Sequence, residues 1–88
     1  MSVQQEIARK LASAFAPVAL DVIDESSRHA GHAGARPGGE THFRVKIVAE
    51  AFRGKGRLAA HQMIYAALAG EIAGGVHALA IEARAPDR

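Results

Sequence analysis

The segment HFRVKIVA at 42–49 constrains this chain most. Phe43, Val45 and Ile47 alternate with His42, Arg44 and Lys46. A period of two describes a strand with one face to bury and one face in water. VALDVID at 18–24 alternates in the same way, with Val18, Leu20 and Val22 on its better-buried face. VHALAIEA at 76–83 reads as a third strand. Three strands with a single apolar face need cover on one side only.

Two segments are built to supply that cover. Ser2 and Gln5 form a capping box, and Val3, Ile7, Leu11 and Phe15 follow at intervals of four. Pro17 ends this first helix. The second is predicted over 57–73, with Leu58, His61, Tyr65, Leu68, Ala69 and Ile72 in one stripe and Gly74-Gly75 as the stop. The order helix, strand, strand, helix, strand makes the first two strands an antiparallel hairpin. The third joins after a helical crossover. The expected fold is α+β, an αββαβ arrangement with a three-stranded mixed sheet and helices packed on one face, as one domain over 1–88.

Composition fits a fold of that size. Of 88 residues, 49% are apolar, but 20 of these are alanine and only 23 are larger. That number suits one modest core. No apolar run approaches the roughly 18 residues of a membrane span. The first residues, MSVQQEIARKL, do not read as a signal peptide. There is no cysteine, which excludes disulfides, thiolate metal sites and thiol nucleophiles. An intracellular, cytoplasmic setting without membrane association is expected.

The net charge is only +2, but Arg44, Lys46, Arg53, Lys55 and Arg57 crowd into 44–57 against a single Glu50. Such a segment attracts phosphate or an acidic partner surface. It also reads as a solvated strand end and turn.

Five histidines are the other asymmetry: His29, His32, His42, His61 and His77. His29 and His32 lie in ESSRHAGHAGARPGGET at 25–41, a loop long enough to suggest function or mobility. His61 falls in the apolar stripe of the second helix, where a structural role is the simpler reading. His77 starts the last strand. Histidine is the one soft ligand this chain owns, and two histidines cannot close a tetrahedral site alone. Remaining ligands would come from another molecule. A mononuclear histidine-bound metal, or no metal in the isolated chain, is the plainer alternative.

No catalytic constellation emerges. Ser26 and Ser27 stand beside His29 with nothing to orient them. Asp24 and Glu25 are adjacent at a strand end and point apart. GKG at 54–56 lacks Walker spacing. A non-enzymatic protein is expected.

ESSRHAGHAG at 25–34, ETHFRVKIV at 40–48, FRGKG at 52–56 and above all GGVHALAIEARAP at 74–86 resemble the BolA family, in order and with matching spacing. The resemblance spans nearly the whole chain. It implies a fold like the class II KH domain. It also implies partnership with a monothiol glutaredoxin around a bridging 2Fe-2S cluster, in iron–sulfur cluster assembly, trafficking or iron homeostasis. In that scheme the partner cysteine and a glutathione thiol ligate one iron. This chain would supply His77 and, lacking cysteine, either His29 or His32. Histidine ligation of one iron has a Rieske-type precedent, and because imidazole must be neutral, acid should weaken it. No cluster is expected to bind tightly to the isolated chain, a monomer or weak homodimer. The family's other implied role is DNA binding in transcriptional control of morphology and stress responses. Arg53, Lys55 and Arg57, with Arg44 and Lys46, are the candidate contacts for DNA or an acidic partner. The chain departs from the family at Ala60-His61-Gln62, where many relatives carry arginines flanking the histidine. That departure weakens the DNA reading.

Overall fold

The computed structural model describes residues 2–25, 42–76 and 78–87. Helix α1 (Val3–Phe15) begins on the expected capping box: the Gln5 amide donates to Ser2 Oγ, and the Ser2 amide donates to Gln5 Oε1. It ends at Ala16, which takes left-handed backbone (φ 45°, ψ 56°) and returns its amide to the Ala12 carbonyl. Pro17 then prevents continuation.

Strands β1 (Ala19–Asp24), β2 (His42–Val48) and β3 (Ala78–Arg84) form one sheet in the order β1-β2-β3. β1 and β2 are antiparallel, and β2 and β3 are parallel. The register stacks Val22, Val45 and Ile81 in one row, with Leu20, Ile47 and Ala83 beside it. These side chains share a face. Ile7 and Leu11 of α1 pack into the same core cluster as these rows. So do Ala60 and Ile64 of α2 (Arg57–Ala67) and Leu68 just beyond it. Phe43, Val45, Ile47, Ile7, Leu11, Ile64 and Leu68 are the large, fully buried side chains. Each is worth about 1.5–3 kcal/mol of transfer free energy. Helices thus cover one face of a mixed sheet, and the α+β architecture expected from the sequence is the one observed.

Three details differ from the sequence reading. Val18 lies outside β1 and is 72% exposed, although its amide still donates to the Val48 carbonyl of β2 at 2.8 Å. The segment after β2 holds a short 3-10 helix (Glu50–Phe52) that buries Phe52 against Phe15, with ring centroids 5.1 Å apart. The second helix is two. α2 breaks at Leu68 (φ −108°, ψ 18°), and α3 (Ala69–Ala73) follows.

α2 is also rotated from the expected stripe. Its buried residues are Ala60 and Ile64, continued by Leu68, whereas Leu58 is 72% and Tyr65 42% exposed. The alanine at 60 lets the helix lie close to the sheet, and the larger Ile64 and Leu68 fill the depth behind it. Helical periodicity puts Leu58 inside, but sheet packing chose the face with the small residue. Among the described residues, no helix is long and apolar enough to cross a membrane.

Candidate functional site

Two regions carry the chemistry-bearing residues. The first is the end of the sheet where β1 finishes and β2 and β3 begin. The Glu25 amide donates to the His42 carbonyl at 2.8 Å, closing the hairpin base from which segment 26–41 departs. His42 stands in register with Ala78 on β3. Val76, 9% exposed, and Ala78 bracket position 77 at this same end. His77, His29 and His32 themselves lie outside the described residues. Among those described, no group of three or more His, Cys, Asp or Glu side chains is placed to hold a metal ion.

Arg44 organises this end. Its Nε donates to Glu25 Oε2 at 3.0 Å and its Nη1 to Glu82 Oε2 at 3.2 Å. Sequence reading took Arg44 as an outward-looking contact cation. The fold makes it a clamp between β2, β3 and the root of the 26–41 segment. The Glu25 carboxylate, only 13% exposed, is the main reason the guanidinium pKa lies above its ordinary value, and Glu82 adds to the effect. The signal for this was present in sequence: acids stand in the strands flanking an alternating basic one. It becomes readable only when the register is known.

Lys46 is exposed on the same open face, in register with Asp21 on one side and Glu82 on the other. Arg53 is held by Glu50 through both its Nε and Nη2, the latter at 2.9 Å, and donates to the Pro86 carbonyl at 3.1 Å. The five basic residues of 44–57 therefore do not present one surface.

The second region is a groove between α2 and β3. Its volume is about 410 Å³, and Lys55, Gly56, Arg57 and His61 face Ile81, Glu82 and Ala83 across it. Gly54, at φ +77°, makes the turn that brings Lys55 there, with the Lys55 amide bonded to the Phe52 carbonyl at 3.0 Å. A side chain at 54 would meet no neighbour, so what the position requires is left-handed backbone rather than space. His61, expected inside the core, is half-buried on the groove wall because of the rotation of α2. Among the described residues, neither Lys55 nor Arg57 has an ion-pair partner.

Comparison with known proteins agrees with this fold. The chain is 49% identical over 84 residues to BolA-like protein 1 of Pongo abelii, spanning 96% of this chain and 58% of that protein. It is 46% identical over 81 residues to the DNA-binding transcriptional regulator BolA of Escherichia coli (strain K12), spanning 92% of this chain and 73% of that one. The solved BolA domain of SufE1 from Arabidopsis thaliana superposes with a TM-score of 0.88 at 43% identity, over 98% of this chain and 94% of that one. The BolA-like protein pattern matches residues 11–88. On this match, and on a fold shared with a solved BolA domain, the chain belongs to the BolA family.

Proposed function

We propose that this protein is a non-enzymatic partner of a monothiol glutaredoxin, taking part with it in the assembly or trafficking of a 2Fe-2S cluster. The observation that supports the reading is topological. Segment 26–41, which contains His29 and His32, leaves from Glu25 and returns at His42, and His42 is in register with Ala78, the residue after His77. The chain segments that carry the candidate ligands thus begin from one end of one sheet. The donor set fits a shared cluster and not a self-contained one. This chain has imidazole but no thiolate, so the sulfur ligands belong to the partner and to glutathione. The cluster is cargo that the two proteins hold between them. The part of this chain is to offer neutral imidazoles from a sheet end braced by Arg44, Glu25 and Glu82.

The test is reconstitution with a monothiol glutaredoxin and glutathione, followed by visible absorption and circular dichroism. His77→Ala should change the spectrum of the mixture, and so should one of His29→Ala and His32→Ala. Spectra identical to wild type for all three variants would refute the assignment.

A second reading, DNA binding, draws on Lys55 and Arg57, which are free of ion pairs among the described residues, and on the name of the Escherichia coli relative. Duplex DNA titrated at several salt concentrations tests it. Binding should weaken with salt and fall for Lys55→Ala with Arg57→Ala. Salt-independent or undetectable binding rejects it.

A further inference from the structure

The groove beside β3 has a property that neither reading uses. Among the described residues β3 is an edge strand, with β2 as its one strand neighbour. The Ala49 amide donates to the Arg84 carbonyl, so Arg84 turns its peptide groups towards β2. Peptide groups alternate sides along a strand, so those of Ala80 and Glu82 also face β2. Those of Leu79, Ile81 and Ala83 face outward, into the groove.

The outward edge is closed at its start and open further along. At one end Tyr65 Oη donates to the Leu79 carbonyl at 3.4 Å. At the other the strand stops at Arg84, beyond which Arg53 donates to the Pro86 carbonyl. Between them, among the described residues, nothing bonds to the outward N–H and C=O groups of Ile81 and Ala83. This stretch lies along the groove of about 410 Å³, opposite Lys55, Arg57 and His61. The one acid in the groove lining, Glu82, gives its carboxylate to Arg44 on the far face of the sheet. The groove therefore joins a short free strand edge to an unmatched basic wall.

We propose that this groove binds a short, extended, acidic segment of a partner protein as an added strand on β3. Bare N–H and C=O groups on alternate residues match the ladder of a peptide backbone. The stretch between the Tyr65 bond at Leu79 and the end of β3 at Arg84 admits only a few residues. Lys55 and Arg57 then select carboxylate side chains on the side of the added strand that faces α2. Edge strands are usually blunted by charge or covered. Here the start of the edge is covered by Tyr65, and the rest is left open to a basic groove.

The test uses the whole chain, labelled with nitrogen-15. The probes are capped peptides of roughly eight residues, a common strand length. One alternates Glu and Val, another Lys and Val, and an oligothymidylate serves as the nucleic-acid probe. In the free protein the Ile81 and Ala83 amides should exchange faster than those of Ala80 and Glu82. The Glu/Val peptide should slow exchange at Ile81 and Ala83. It should bind about tenfold more tightly than the Lys/Val peptide and lose about that factor in Arg57→Glu. Two further Glu/Val peptides, N-methylated at odd or at even amides, separate backbone pairing from charge without altering the protein. One should lose binding and the other keep it. Equal binding of both methylated peptides, unchanged protection at Ile81 and Ala83, or no peptide binding overturns the proposal. Displacement of the peptide by oligothymidylate with those amides left unprotected also overturns it and assigns the groove to nucleic acid. The peptide contacts do not include His77, so failure here leaves the cluster assignment intact.

Discussion

Arg44 belongs to the same basic run as Lys55 and Arg57, yet the fold treats them oppositely. On the open sheet face, Arg44 is bonded to Glu25 and Glu82, and Lys46 stands in register with Asp21 and Glu82. In the α2–β3 groove, Lys55 and Arg57 face an acid already engaged elsewhere. The charge of a segment is thus a poor guide to the charge of a surface. What decides is which strands lie alongside, and strand neighbours are set by topology rather than by sequence distance. Arg44 braces a hairpin base, whereas Lys55 and Arg57 stay available.

The comparison depends first on the rotation of α2, which turns Arg57 and His61 into the groove. The sharpest way to break it is to exchange the inside of that helix for its outside. Ile64→Ala should cost about 2–5 kcal/mol of stability, whereas Leu58→Ala should stay within about 0.5 kcal/mol, both read by urea unfolding. A large loss at Leu58 would restore the stripe expected from sequence and withdraw the groove.

The next effect in size is at Arg44. Arg44→Ala leaves the Glu25 carboxylate, 13% exposed, without its partner. It should lower the melting temperature by a few degrees and weaken the hairpin base, seen as faster exchange of the Glu25 amide. In contrast, Lys55→Ala and Arg57→Ala should each change stability by no more than about 0.5 kcal/mol, either way. Equal losses at the sheet face and in the groove would erase the distinction between bracing and available cations.

The smallest effect concerns pH. The hydrogen bond from Arg53 holds the Glu50 pKa below its ordinary value of 4.5, and burial opposes this only in part. A depressed carboxyl adds stability above its unfolded value and loses it as pH falls through the folded one. The wild type should therefore exceed Glu50→Gln slightly in melting temperature at neutral pH, and the gap should close in acid. The pair is exposed, so salt should shrink the gap as well.

Much of the architecture was legible in the chain because it rests on local rules. The Ser2–Gln5 box, the spacing of Ile7 and Leu11 and the alternation of Phe43, Val45 and Ile47 each act over a few residues, and each appears where expected. The break at Leu68 and the burial of Ala60 in place of Leu58 were not legible. Both answer to the sheet beneath the helix. Of the candidate site, the basic residues around GKG were legible. The pairing of Arg44 with Glu82, 38 residues away, was not.

The sequence by itself determined the period of every strand, the start of α1, the mixed αββαβ order and a ligand inventory without thiolate. These follow from backbone sterics, side-chain alternation and residue chemistry, none of which needs a neighbour distant in the chain. Only the tertiary structure decided which cations are spent on carboxylates, which face of α2 is inside and where β3 leaves its edge open. Those depend on register and on the depth of the space under α2, which exist only once the strands and helices have met.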